Sequence, residues 1–395
     1  MDLNKQPRKV LIYAPYLGNG GVRRLALRLL QTWLQTTDPQ QWNFRVLSQP
    51  RDGSGEEIPW PADLFTPVDG MRLADQLPEN LCPYLQDNQD HFFRVLRREA
   101  AGVDVIWLPQ PWWTLRLKQE VVDLPAHIIP TVHDFAFDEL GWDGTFGDNF
   151  RNEARAFVQA SSQLIFSSAC MKQRAIERYG LHPDDGQVIH LADFVPENFN
   201  PTVEEGTRVC QLYDLPKQYW LAFHAIGHKD PLTIIKAIAT IKQRNPQHFI
   251  PLVMAGVNTD KMRPNSPPGD SYSDMVKECI GELGLVYERD FKILGFVPDS
   301  DIAGLYRAAT GCIAASRSEA GLNGSIFEAQ RARTPLIYSD IAPFVERLGT
   351  QGQFGLHFQC GDSQDLARAM LEHLSDAAAC QRRATAAFDE FCCRT

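Results

Sequence analysis

Residues 312–340, CIAASRSEAGLNGSIFEAQRARTPLIYSD, limit what this chain can fold into more than any other stretch. The run opens with residues 312–315, apolar and of strand length, and a glycine-punctuated loop from Ser318 to Ser325 follows. Ile326, Phe327, Ala329 and Gln330 then give a helical pattern, and a second apolar run closes at Ser339-Asp340. The order strand, loop, helix, strand is one βαβ unit. Its loop leads into a helix N-terminus, where unpaired backbone N–H groups and the positive end of the dipole favour an anion such as a phosphate. Gly321 and Gly324 let a ligand come close to the backbone. Glu328, one turn into the helix, is placed to accept hydrogen bonds from sugar hydroxyls.

The pattern repeats along the chain. Residues 9–14 (KVLIYA) form a buried-strand pattern that Pro15 ends, and Gly18-Asn19-Gly20-Gly21 leads into a helix with Val22, Leu25, Ala26, Leu29 and Leu30 on one face. The GxGG spacing is not the GxGxxG dinucleotide fingerprint, so a nicotinamide enzyme is a weaker reading. Residues 50–90 are rich in Pro, Gly and acidic residues and lose periodicity; they read as irregular connection. A helix after His91 carries Arg94, Arg97 and Arg98, either a solvated face or a phosphate-contacting one. Residues 103–108 form another strand, after which Trp112-Trp113 either stack on a sugar or plug the surface. Residues 127–132 lead to His133-Asp134 at a strand's carboxyl end, where open α/β sheets bind ligands; the same pair also suits a plain turn cap. Residues 164–168 and 187–193 read as the last two strands of this half.

The polar, Pro-containing segment 194–217 marks a domain boundary. Beyond it, strand 219–224 runs through Gly227-His228-Lys229-Asp230-Pro231 into a helix, and further strands are expected from Leu252 and from Phe291. Pro251 cannot donate to a ladder, so it lies outside its strand. Helices are expected over 300–309, 363–374 and 377–391.

Taken together, Ser-Glu-x-Gly, Glu-Ala and Thr-Pro-Leu-Ile-x-Ser-Asp within 316–340, TVHD at 131–134, His-Lys-Asp at 228–230 and Leu-Gly-Phe-Val-Pro at 294–298 resemble the GT-B glycosyltransferases. The resemblance is to the large retaining family 4. It implies an α/β fold of two Rossmann-like doubly wound domains facing a central cleft. Residues 1–200 would be the acceptor-side domain, 201–375 the nucleotide-sugar domain, and 376–395 a helix crossing back to the first. It further implies a transferase that moves a sugar from a nucleotide-diphosphate donor to an acceptor hydroxyl with retention of configuration. By the same resemblance His133 and Glu319 face the donor sugar. Lys229 and the amides of Gly324, Ser325 and Ile326 hold the diphosphate, Glu328 holds the ribose, and the backbones of Phe296 and Val297 read the base. Gly20 and Gly21 lie near the donor's phosphates. Glu319 and Glu328 are one residue further apart than in the family's pattern. A noncatalytic nucleotide-sugar or glycan binder on this fold, or a nucleotide-sugar epimerase, is the alternative.

Composition narrows the partners. A net charge of −10 argues against nonspecific nucleic-acid binding. The polar opening, residues 1–7, predicts no secretory signal, and no apolar run reaches the ~20 residues of a membrane span. Nine scattered cysteines without paired spacing fit free thiols in a reducing cytoplasm. The expectation is a cytoplasmic, metal-independent enzyme with no bound cofactor and a glycan, lipid-linked or protein acceptor, with peripheral membrane contact left open.

Overall fold

The computed structural model describes residues 7–14, 21–36, 41–48, 71–73, 94–109, 123–135, 144–193 and 201–392, except 162, 224–226, 257–258 and 270, with a few single positions between these ranges. The chain forms two compact units, residues 1–191 and 192–395.

In the first unit seven parallel strands are ordered β3-β2-β1-β4-β5-β6-β7. They are β1 Arg8–Ala14, β2 Trp42–Ser48, β3 Met71–Leu73, β4 Val105–Leu108, β5 His127–Val132, β6 Ile165–Phe166 and β7 Gln187–Val188. Helices α1 (Gly21–Thr36), α2 (Gly144–Ala160) and α3 (Ala169–Tyr179) belong to this unit. One core joins Leu11, Leu96, Ile106, Leu108, Val132, Phe157 and Phe166; on the other face of β1 a second joins Val10, Ile12, Leu30 and Trp107. Alternating residues of β1 therefore feed both layers, as a strand covered on two sides requires. Pro130 sits inside β5 opposite Leu108. It is tolerated because β6 pairs only with Thr131 and Val132, so no neighbour on that side needs a donor from Pro130. The last strand stops at Val188 although the apolar pattern continues, and Ile189 is 54% exposed. Arg94, Arg97 and Arg98 point to solvent on a short helix whose Val95 and Leu96 are buried.

The second unit has six parallel strands in the order β10-β9-β8-β11-β12-β13. These are β8 Trp220–Phe223, β9 Leu252–Ala255, β10 Phe291–Gly295, β11 Gly311–Ala314, β12 Leu336–Ser339 and β13 Leu356–Phe358. Its helices include α4 Val203–Leu212, α5 Pro231–Arg244, α6 Ser271–Glu282, α7 Asp299–Ala308, α8 Gly324–Arg331, α9 Ala342–Leu348, α10 Ser363–Ser375 and α11 Ala377–Phe391. All four residues of β9, β11 and β12 are buried, so these strands read as apolar runs rather than alternating ones. Gly304 lets α4 and α7 touch: a Cβ there would lie 2.5 Å from a Val209 methyl.

The units divide at Leu191, ahead of the composition shift. The Asp193 carboxylate, 1% exposed, accepts from Arg331 Nε on α8 at 2.7 Å. That half-buried pair fastens the start of the segment to α8. Helix α11 packs on α8 within the same unit, where the Arg333 guanidinium lies 3.7 Å from the centre of the Phe388 ring.

Candidate functional site

Both sheets share the order 3-2-1-4-5-6 through six strands, and such sheets bind ligands beyond the strands' carboxyl ends, where the connections diverge. In the second unit that point lies between the neighbours β8 and β11. The loop after β8 carries Lys229, on a short 3-10 turn spanning Gly227–Lys229. The loop after β11 carries Glu319 and runs to α8. The topology thus brings together two residues 90 positions apart, and their side chains form an ion pair.

The pair sits in a network. Glu319 Oε1 also accepts from Ser316 Oγ at 2.6 Å and from Asn323 Nδ2 at 2.8 Å. Asn323 caps α8: its Oδ1 accepts from the Ile326 amide at 3.1 Å and from Ser325 Oγ at 2.7 Å. Burial works to raise the Glu319 pKa, yet the Lys229 ammonium and the bonds from Lys229 and Ser316 outweigh it and hold it below the usual carboxylate value. Glu319 is therefore an anion at neutral pH. The Ile326 amide is engaged by the cap, so the Gly324 and Ser325 amides form the leading part of the helix N-terminus.

Around this centre Asp230, 1% exposed, opens α5. Its carboxylate accepts from Thr233 Oγ1 at 2.6 Å and from Arg317 Nε at 2.8 Å. Arg317 also donates its own amide to the His228 carbonyl, at 2.7 Å, which ties the two loops together. Glu328 is buried, and the single Tyr306 hydroxyl proton is shared between its carboxylate at 3.0 Å and the Ser325 carbonyl at 3.1 Å. At the end of β10, Phe296 is 68% exposed while Val297 is buried.

The first unit, taken by itself, has a different candidate group at the end of its sheet. His133 follows β5 and is 4% exposed. It hydrogen-bonds the backbone of Pro109, just beyond β4, while its Nε2 is buried with no partner among the described residues. Burial pushes its pKa down to about 4 against the opposing effect of Pro109. The ring is neutral near pH 7. With Nδ1 donating to the Pro109 carbonyl, Nε2 offers a lone pair to a hydroxyl donor. Gly21 begins α1. Gly20, Trp112, Trp113 and His224 lie outside the described residues.

Sequence reasoning placed Lys229, Glu319, Gly324, Ser325, Ile326 and Glu328 in neighbouring loops and helices of one unit. It missed Asn323, although an Asn just ahead of a helical apolar pattern is an N-cap signal. Tyr306 and the Asp230–Arg317 pair carried no local signal. Among the described residues, no group of three or more His, Cys, Asp or Glu side chains is arranged to hold a metal, and no helix is long and apolar enough to cross a membrane.

Residues 221–376 match the family model for Glycosyl transferases group 1. Among solved structures, Anabaena Alr3699/HepE, crystallised with UDP and glucose, aligns over 98% of this chain and 95% of its own at 17% identity, with a TM-score of 0.73. The fold is GT-B. Sucrose-phosphate synthase from Thermosynechococcus elongatus aligns over 97% of this chain and 94% of its own at 15% identity, with a TM-score of 0.73. WaaG, a glycosyltransferase involved in lipopolysaccharide biosynthesis, aligns over 96% of this chain and 94% of its own at 15% identity, with a TM-score of 0.67. Comparison with curated proteins by sequence finds no match. At these identities the solved structures speak for the GT-B architecture, and the matched family model speaks for the second unit.

Proposed function

We propose that this GT-B protein is a retaining glycosyltransferase that takes a sugar from a nucleoside-diphosphate donor and delivers it to an acceptor hydroxyl. One observation carries the reading: an ammonium and an amide-rich helix N-terminus converge beyond the strands' carboxyl ends at the second sheet's switch point. Breaking the bond from the anomeric carbon to the diphosphate leaves negative charge on the departing oxygen. Lys229 and the Gly324 and Ser325 amides are preorganised donors for that charge, and losing one such donor typically costs about 100–1000-fold in rate. Glu328, steadied by Tyr306, holds the ribose hydroxyls, and the backbones of Phe296 and Val297 meet the base. His133, neutral, accepts a hydrogen bond from a hydroxyl of the donor sugar through Nε2.

Retention follows if the acceptor oxygen attacks from the face the diphosphate leaves. The new bond joins acceptor oxygen to anomeric carbon, the carbon–phosphate-oxygen bond breaks, and the acceptor's proton passes to the departing diphosphate. No metal or bound cofactor enters this scheme, because the ammonium and helix dipole carry the countercharge. The acceptor is a glycan, a lipid-linked sugar or a protein, and the enzyme works in the cytoplasm. HepE's complex with UDP and glucose makes UDP sugars the first donors to try.

A thermal-shift panel of UDP, GDP, ADP and TDP sugars tests the reading. A ligand at ~100 times its dissociation constant adds about 2.7 kcal/mol of stability. One sugar nucleotide should raise the melting temperature, and that donor should release its nucleoside diphosphate in the presence of acceptor. A shift without release would make the protein a binder; no shift with any nucleotide would remove the donor site.

A further inference from the structure

Lys229, assigned above to the diphosphate, already holds an anion from its own chain. Its partner Glu319 gathers three donors on one carboxylate oxygen: the ammonium, the Ser316 hydroxyl and the Asn323 amide. Both side chains are largely enclosed, 15% exposed for Lys229 and 11% for Glu319. Through Asn323 the same carboxylate reaches the first turn of α8, so it links the ammonium-bearing turn after β8 to the helix N-terminus after β11. A carboxylate bound this way does two things at once. It fixes the ammonium in position, and it cancels the charge that a diphosphate would seek.

We propose that Glu319 is an exchangeable counter-anion for Lys229: it yields the ammonium to the donor's diphosphate and reclaims it as the nucleoside diphosphate departs. The proposal rests on the donor-site reading and adds regulation of that site's affinity. A site with a free ammonium and a free helix N-terminus would hold the product diphosphate as firmly as it holds the leaving group. Product release would then limit turnover. Repulsion between Glu319 and the bound diphosphate offsets part of that attraction, and recapture of Lys229 helps to expel the product. Glu319 is a positioning residue in this scheme, acting on the reaction through Lys229.

Calorimetric titration of the full chain with inorganic pyrophosphate, UDP, GDP and ADP tests it, using the wild type, Glu319→Gln and Glu319→Ala. The Gln variant keeps an acceptor oxygen for Ser316 and Asn323 and removes only the charge. Its dissociation constants for pyrophosphate and for the preferred nucleoside diphosphate should fall about tenfold, the size of effect expected from removing a like charge a few ångströms away. Its product-inhibition constant and kcat should fall with them, as should KM for the donor. Glu319→Ala, which also loses the acceptor, should bind more weakly than Glu319→Gln. A purely structural Glu319 would weaken binding in both variants, so unchanged or weaker binding by Glu319→Gln overturns the proposal. A wild type that binds none of the four ligands overturns the donor-site reading itself, and the counter-anion with it.

Discussion

The two sheets share one strand order but end in different chemistry. At the carboxyl ends of β4 and β5 in the first unit stands a neutral imidazole bonded to a backbone carbonyl, and Phe135, two residues further on, stacks on Tyr179. At the ends of β8 and β11 in the second stand Lys229, Asp230, Arg317 and Glu319, each in a named ion pair. Burying charges is costly unless they are paired and hydrogen-bonded, and this cluster meets that condition with donors from three side chains and a helix cap. Among the described residues the second edge gathers four charged side chains in ion pairs, whereas the loop after β5 carries a buried neutral imidazole and, five residues further on, the Asp138–Arg178 ion pair. Function lies in the loops that fill each edge.

The largest effect should come from removing the cation. Lys229→Gln keeps a donor for Glu319 while deleting the charge, so the second unit should stay folded. Affinity for the nucleoside diphosphate should drop by about 100-fold, and transfer by a comparable or larger factor, as for loss of one preorganised donor at a developing anion. The donor-induced thermal shift should vanish. A variant that keeps the full shift would take Lys229 out of the diphosphate site and erase the contrast between the edges.

The neutral edge makes a pH prediction of intermediate size. His133 has its pKa lowered to about 4 by burial, and in the second unit His373, packed edge-on to Trp220, is lowered to about 4 for the same reason. For a group with a depressed pKa that must stay neutral, the unfolded chain binds the extra proton. Its contribution is complete above the unfolded value near 6.5 and is lost as pH falls toward 4. Each histidine should therefore cost about 2–3 kcal/mol of stability between pH 7 and pH 4.5, at 1.36 kcal/mol per unit of pKa difference. Urea unfolding across that range measures the slope, and His133→Gln should flatten it by one histidine's share. NMR titration should place the His133 imidazole below pH 5. An ordinary value near 6.5 would mean that the first edge is wet and charged in mild acid.

Much of this was legible in the sequence, for local reasons. Strands β9, β11 and β12 announce themselves as apolar runs between glycines, prolines and polar turns. Pro251 marks where β9 starts, and the helix over 377–391 follows its periodicity. The pairing of Lys229 with Glu319 was not legible, because adjacency of β8 and β11 is a property of sheet order. The same holds for Asp193 and Arg331, 138 residues apart, whose ion pair ties the chain ahead of the composition shift to α8. Strand β7 is shorter than the apolar pattern suggests: it spans Gln187–Val188, and although the Ile189 amide still donates to the Phe166 carbonyl at 2.9 Å, the Ile189 residue is 54% exposed. Local patterns set the elements; long-range charge pairs set which loops act together.

The smallest effect is expected where the side chain is most prominent. Phe296 is 68% exposed at the end of β10, a natural candidate for stacking on a base. Under the proposed function the main-chain groups of Phe296 and Val297, and not the ring, meet the base. The Arg263 guanidinium donates to the carbonyls of Ile293 at 3.1 Å and Leu294 at 3.0 Å. Gly295 takes a positive φ of 80°, and its carbonyl accepts from the Gly256 amide at 2.7 Å. These contacts fix the chain immediately before Phe296 and Val297, so the peptide groups there are held rigidly whatever ring follows. Phe296→Ala should leave the donor's dissociation constant within about twofold, against the ~1–3 kcal/mol that losing a base–aromatic stack costs. A loss of that larger size, measured by calorimetry with the preferred nucleoside diphosphate, would move base recognition from the backbone to the ring. The second edge would then depend on an aromatic face as well as on charge.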